Sequence, residues 1–598
     1  MLPYVTSKVK FNEKIMKTFL GINKGEDLLT GEITECKNMT SEHFPSLGTR
    51  KARVKLSETS GIINGFSTFD GYIYTSYIPS TKKLFLNFMG KDYEFTSYTT
   101  SPADVGRKIA ALSDSILIIP DNVIFYTSTK KFCKICFSQV SNASSTRKKF
   151  ANETNNSSLL DNAQIRYIAS YTHNSISYRL TGYDINGSKD FYYSNFDSSL
   201  KSGDIINLKM TVFSDSEEED DTYKEYVKKM ARTFSVKIRD VVKVTHSTVT
   251  GNIEETVELK FDDNTIDTGG YKNLRASVIT TERTMPTLDS ICSHNNRIWA
   301  TAGNEIYASK LGDATEWNDF SVDSYGLLPY ACFNTKAETD GIFTGLIPYS
   351  NFIFAFKENA IHKIHGNSPD EYTLYTKRVS GLIKNADLCL CNGANSIIYP
   401  SSDGIYSYSD DYPVCISAKL NSELEPIDAC STNKYYYILA KESNEKKIFV
   451  YDLKRKIWHI QDAPSDSLYL TSHGKDVYLA TNTSVFLIDT NSENADSREN
   501  IFWNFKMDFD DRLFEKRGYG TISIRYSLAK NASFTVRAIY DDETKGAICG
   551  AVYDEGQTGG CVITIPVKRC RRFILAFSGR GKFLLKGLKL KFYQGSEI

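Results

Sequence analysis

Apolar and polar residues along this chain fall into short runs of roughly four to eight positions, set off by Gly, Asn, Asp and Ser clusters at hairpin spacing. One unit recurs: an apolar or aromatic strand, a polar turn, and a second strand ending in an Ile-Tyr-like pair. It is seen at Asn295–Ser309 (NNRIWATAGNEIYAS), Asn351–His365 (NFIFAFKENAIHKIH) and Asn395–Tyr408 (NSIIYPSSDGIYSY). It returns at Lys434–Ala440 with Lys447–Asp452, and at Lys475–Ala480 with Ser484–Asp489. Two earlier units have the same form, Thr68–Thr75 with Lys83–Phe88 and Asp114–Pro120 with Asn122–Tyr126. Units about 35 to 55 residues apart have the spacing of propeller blades. A lone hairpin cannot bury both of its faces, whereas radial stacking buries them and leaves only short edges.

This pattern predicts an all-β chain: a β-propeller of about six to eight blades, an inserted small β domain and a C-terminal β-sandwich-like domain. The expected order is an extended N-terminal arm over 1–60, first blades over 61–134, the inserted domain over 135–286, further blades over 287–498 and the sandwich-like unit over 499–598. The insertion is placed where the blade pattern lapses, although strands such as Ile205–Val212 and Glu255–Phe261 continue. In the last unit Ile522–Ser527, Phe534–Tyr540 and Arg572–Phe577 alternate as sandwich strands do. Helices are expected only at Ala103–Leu112 and at Tyr223–Arg232, the latter preceded by the acidic run Asp215–Asp221 that complements its dipole.

Composition sharpens the strand reading. The 598 residues, enough for three or four domains, include 37 Tyr and 34 Phe against 14 Pro and 8 Met, an excess that suits pleated, half-buried surfaces. Lys+Arg and Asp+Glu are each 72, so no global field draws the chain to DNA or an anionic membrane. The N-terminus lacks the apolar core of a leader peptide, and runs such as Ile116–Ile119 are far too short to span a bilayer, so no membrane segment is expected.

Candidate chemistry is sparse. The 12 cysteines are scattered, with Cys133-x-x-Cys136 unmatched by a second pair and Cys389 and Cys391 expected on one face of a strand; they read as reduced, partly buried thiols. The acidic run lacks the alternation and the turn glycine of a calcium loop. Carboxylate pairs at Asp370–Glu371 and Asp410–Asp411 would suit a glycan-degrading enzyme, but adjacent carboxylates are common in solvated turns. The 8 His carry no metalloprotease or nucleophile-elbow context, and His362 and His365 are expected on opposite faces of a strand. No catalytic residue, metal site or cofactor is therefore expected. The locally basic region is at the C-terminus, with Lys568, Arg569, Arg571, Arg572, Arg580 and Lys582.

Three segments resemble the tail nozzle, tail tubular and packaged-DNA stabilisation proteins of bacteriophages. The first is the arm, with Phe19, Gly21 and Asn23, then Gly31-Glu32, then Asn38–Arg50 containing Phe44, Pro45 and Leu47. The second is Asp289–Trp299 with Asn296 and Arg297, followed by Gly312-Asp313 and Trp317-Asn318. The third is Gly381–Ile383, Asp403-Gly404 within Ser402–Tyr406, and Pro413-x-x-Ile416. Arg297 at a hairpin start is suited to tie down loop carbonyls, and the two Gly/Asp dipeptides are turn signals. Phe44-Pro45-x-Leu47 reads as an extended segment docking on the propeller.

The resemblance implies a structural, non-enzymatic virion protein in the tail, made in the bacterial host cytoplasm. It implies a ring, six-fold if the nozzle likeness holds, with other head-tail connector or tail proteins as partners and transient contact with genomic DNA. A neutral chain suits a conduit, because phosphate contacts would hold the DNA. The basic C-terminal cluster is left with two roles, lining the DNA path or contacting a neighbouring subunit. The rival expectation is a tail-associated receptor- or glycan-binding propeller, whose rim would use the abundant Tyr, Asn and Asp.

Overall fold

In a computed structural model the described residues are 11–135, 286–488 and 501–594, each with short gaps, together with six strands within 164–282. They contain seven four-stranded antiparallel sheets. In chain order their first strands are Ile62–Ser67, Lys108–Leu112, Ser290–His294, Gly345–Tyr349, Cys391–Asn392, Glu425–Ser431 and Ser467–His473, which begin blades 1 to 7. Each first strand lies beside the next, and the seventh lies beside the first, so the sheets close a circle. The chain is a seven-bladed β-propeller.

The seven hairpins read from the sequence are the second and third strands of the seven blades. Those strands are covered on both faces, and for that reason they are the most apolar: all five residues of Ser115–Ile119 are buried. Apolar layers fill each gap between blades, such as Leu117, Ile119, Ile298 and Ala300 between blades 2 and 3. Several hairpins turn through two successive residues of positive φ, Asn295-Asn296, Ser350-Asn351 and Ser443-Asn444. Such turns match the twist of the flanking strands, and Asn tolerates the left-handed region.

Blade 7 is completed by the other end of the chain. Its third strand, Ser484–Ile488, pairs with Val54–Glu58, so the circle is latched by the segment that precedes blade 1. The expected arm over 1–60 is corrected accordingly, since its last strand belongs to the propeller. The expected helix at Ala103–Leu112 is also corrected. Lys108–Leu112 pairs residue for residue with Ser115–Ile119 as the first strand of blade 2, and the ladder outweighs local helix propensity. Gln164–Thr172, Ser175–Tyr183, Ile205–Val212, Thr233–Ser247, Ile253–Phe261 and Leu274–Glu282 form one six-stranded sheet between blades 2 and 3 in sequence. The acidic run and the helix expected at Tyr223–Arg232 lie outside the described residues.

The C-terminal strands make two sheets, and the arm enlarges both. Phe583–Gln594 pairs with Arg517–Leu528 and also takes up Asn12–Met16 and Leu47–Thr49 from the arm. Phe502–Asp508 pairs with Phe573–Arg580 and with the arm strand Glu35–Lys37. Aromatic rings stack in the layer the two sheets enclose, Trp503 across it on Phe583 at 4.5 Å and Phe505 on its strand neighbour Phe577 at 4.6 Å. This apolar layer is continuous, through Phe19, Ile22 and Ile33 of the arm, with the core of blades 4 to 6. No helix among the described residues is long and apolar enough to cross a membrane.

Candidate functional site

The arm runs between blade 6 and the sandwich and bonds to both. The Ile22 amide donates to the Trp458 carbonyl at 2.9 Å, and the Asn38 amide donates to the Ile460 carbonyl at 2.8 Å, both on the outermost strand of blade 6, Ile457–Asp462. Gly21 sits at φ +77°, where a Cβ would lie 2.7 Å from the Trp458 carbonyl oxygen. A glycine is required there by both conformation and space. Phe19 is buried in the shared core.

Polar side chains complete the clamp. Buried Asn23 donates to Glu32 at 2.8 Å, and Glu32 also accepts from Lys419 at 2.7 Å. Burial opposes the Glu32 charge, yet the bonds from Lys419, the Leu29 amide and Asn23 outweigh it and hold its pKa below the ordinary value. Lys24 bonds Glu442 of blade 6, which also accepts from Lys447 at 2.9 Å. Burial would raise the Glu442 pKa, but these lysines and Ser422 bring it down to about 2. Arg50, 4% exposed, donates to Asn38 at 3.0 Å and to Asp462 at 3.2 Å, and Asn38 donates to the same Asp462 at 3.0 Å. Clefts of about 1280 Å³ and about 730 Å³ flank Lys24 and Glu442, the larger between blades 5 and 6.

Phe44-Pro45-x-Leu47 docks on the propeller only through Phe44 and is not an extended segment, so that expectation is corrected in part. Residues 41–45 form a turn in which Phe44 lies under the Arg455 guanidinium, 4.8 Å from the ring centroid, and Pro45 is exposed. Leu47 is buried in the sandwich sheet. The demand for a β-strand partner at Leu47–Thr49 decides this path, and nothing in the local sequence names that partner.

The blade 3 motif is a structural knot. Arg297, buried, donates to the carbonyls of Ser309 at 2.7 Å, Ala331 at 2.6 Å and Pro329 at 2.6 Å. Gly312, at φ +77°, donates its amide to the Asn296 carbonyl at 2.7 Å, and Asp313 accepts from the Thr315 amide at 2.8 Å. Trp299 is buried against Phe333 and Tyr372. Asp403 and Gly404 form the middle turn of blade 5, with Asp403 accepting from the Tyr406 hydroxyl at 2.7 Å.

The basic residues do not form one patch. Lys568, Arg569, Arg571 and Arg572 precede the strand Phe573–Arg580, while Arg580 and Lys582 lie at its far end, about 25 Å away at strand rise. Lys568 bonds Glu543, and Arg572 lies 2.6 Å from Asp508, so two of the cations carry their own counter-charge.

Other candidates are dispersed. Asp370, Glu371, Asp410 and Asp411 lie in exposed turns, and no group of His, Cys, Asp or Glu among the described residues is arranged to hold a metal. Cys136 lies outside the described residues. Cys389 ends a short 3-10 helix and Cys391 starts the next strand, which corrects their expected placement on one strand face. His362 is buried between the hydroxyls of Thr339 at 2.9 Å and Thr376 at 2.8 Å, whereas His365 is exposed.

Missed in sequence were two buried polar locks, the first within blade 2 and the second between blades. Arg107 pairs with Asp121 at 2.6 Å with both side chains fully buried, and Asp428 of blade 6 accepts the Leu470 amide of blade 7 at 2.8 Å. Their signal, a charged residue inside an apolar run, was present at Asp428 only.

These features define a class: a propeller latched by its N-terminal segment, with a β-sandwich clamped to one flank by the same arm. No family model and no curated protein matches the chain. Among solved structures it is similar to virginiamycin B lyase from Staphylococcus aureus, at 11% identity and a TM-score of 0.29, over 73% of this chain and 97% of that one. It is similar also to YCF48 from Cyanidioschyzon merolae, at 8% identity and a TM-score of 0.26, over 73% of this chain and 99% of that one. Overlaps this loose leave the fold assignment on the blade topology itself.

Proposed function

We propose that this chain is a non-catalytic structural protein of a bacteriophage virion, placed in or near the tail. In this reading copies of it form a ring, six-fold by the nozzle resemblance, bound to head-tail connector or tail proteins, through which DNA is retained and ejected. The observation that carries the reading is the arm. The stretch that resembles those proteins, Phe19 to Arg50, is the stretch whose buried side chains join blade 6 to the sandwich. A continuous core across that joint makes a stiff strut, which a ring subunit under load requires. The neutral total charge and the divided, partly paired basic residues suit a surface that DNA slides past.

The test is mass by light scattering, alone and with the proteins encoded beside it, followed by electron microscopy. A closed ring in either sample supports the reading. A chain that stays monomeric, joins none of those proteins and releases sugars from a polysaccharide overturns it. A second reading, a receptor- or glycan-binding propeller, is favoured by one observation, an uncovered aromatic face on blade 4.

A further inference from the structure

Three strands of blade 4, Phe352–Lys357, Ala360–His365 and Thr373–Lys377, turn one face toward blade 5. Strand register and pleat place Phe352 and Phe354, Lys363 and His365, and Tyr375 and Lys377 on that face. Near the propeller axis the face is covered, with Phe354 against Tyr408 and Phe356 against Tyr399. Further out the cover ends, because the outermost strand of blade 5 is only Val414–Cys415, two residues long. An ordinary blade would bury this area; here Tyr375 remains 60% exposed and Tyr412 of the adjoining turn 68% exposed.

The uncovered rings are held in place. His365 stacks on Phe352 with centroids 5.3 Å apart and meets Tyr375 edge-on at 6.4 Å. Lys363 lies 4.0 Å over the Phe352 ring and bonds Asp410. Lys377 lies 4.9 Å from the Tyr412 ring centroid and donates to the Asp411 carbonyl at 2.5 Å. The Asp411 carboxylate, 83% exposed and 3.9 Å from Lys377, points into solvent beside these rings.

We propose that this exposed aromatic face between blades 4 and 5 binds the hexose units of a neutral polysaccharide. A pyranose ring has an apolar C–H face and a rim of hydroxyls. It therefore fits a site with exposed aromatic faces and, beside them, both an acceptor and a donor. Tyr375 and Tyr412 supply the faces, Asp411 the acceptor and Lys377 the donor. The charges choose against nucleic acid, since the two lysines are balanced by Asp410 and Asp411 and no excess is left for phosphates. The inference deepens the second reading above and uses the residues of one subunit alone.

The experiment uses the full chain on an array of bacterial surface polysaccharides, with Tyr375→Ala, Tyr412→Ala and Asp411→Asn variants alongside. All three positions are exposed, so thermal melts matching the parent protein are expected and are measured first. Binding to one or more neutral-hexose polymers, weakened at least tenfold by each tyrosine substitution, is the expected result. No binding to the array, or binding that all three variants retain, overturns the proposal. So does binding of a labelled single-stranded oligonucleotide that the tyrosine variants lose, or a change in oligomer mass in those variants without a glycan effect. A parent that stays monomeric both alone and with the neighbouring proteins, yet binds the polymer through Tyr375 and Tyr412, sinks the ring and leaves this face standing.

Discussion

Arg50 and Asp462 lie 412 positions apart in sequence and meet at 3.2 Å, one on the arm and the other at the end of blade 6. Burial works against the Asp462 charge, but Arg53, Arg50 and Asn38 together keep its pKa below the ordinary carboxylate value. Replacing Arg50 with Ala removes one of the two hydrogen bonds that Asn38 Oδ1 accepts and leaves Asp462 with less compensation. A loss of about 2 kcal/mol is expected for a hydrogen-bonded charged group of this kind. Denaturant unfolding checks it, and a loss near zero would remove the arm from the list of structural clamps.

Arg107, at the entry to blade 2, and Asp121, in that blade's middle turn, form a fully buried pair. Arg107 also donates to the Ala103 carbonyl at 3.0 Å and the Val105 carbonyl at 2.9 Å. Asp121→Ala leaves a buried guanidinium without its counter-charge and is expected to cost about 3–5 kcal/mol. Arg107→Met combined with Asp121→Leu should recover much of that loss. A double-mutant cycle by denaturant unfolding measures the coupling.

His459, on the outermost strand of blade 6, has no hydrogen-bond partner among the described residues for either ring nitrogen. Burial lowers its pKa from 6.5 to about 4. The folded protein thus refuses a proton that the unfolded chain accepts. Stability is unaffected above pH 6.5 and falls as pH drops from there toward 4. His459→Leu should remove that slope, with a relative gain of about 2 kcal/mol near pH 4.5. Unfolding free energies of the two proteins across pH 4 to 8 decide the matter, and parallel curves would refute it.

Gly21 is held at positive φ against the Trp458 carbonyl. Gly21→Ala adds both a strained backbone and a contact that no rotamer relieves. A destabilisation of about 2 kcal/mol or more is expected, above the usual cost of Gly→Ala at a left-handed position. Gly90, at φ +74° with open space around it, is the control, since its Ala variant carries a comparable conformational strain alone. The difference between the two melting curves isolates the contact.

Much of the fold was legible because blade strands are dictated locally. Hairpins such as Asn351–His365 carry their own alternation and turn residues, and their central position in a blade makes them apolar enough to notice. The blade count became definite only with closure, since the outer strands are weakly patterned: Val414–Cys415 is two residues long. The arm motif was visible as a set of residue types, but its partners were not, because Arg50 and Asp462 share no local signal.

By its own pattern the chain determined that it is all-β, built of repeated hairpins, with a separate strand-rich unit at the end. Only the tertiary structure decided that Val54–Glu58 closes blade 7, that Lys108–Leu112 is a strand, and that Phe44–Leu47 turns into the sandwich. It also decided that the six basic residues stand apart and that a short blade 5 leaves Tyr375 and Tyr412 uncovered. The physical reason is common to all of these. Hydrophobic periodicity records which face of a segment is buried, whereas the choice of partner is made by strand edges and buried charges far away in sequence.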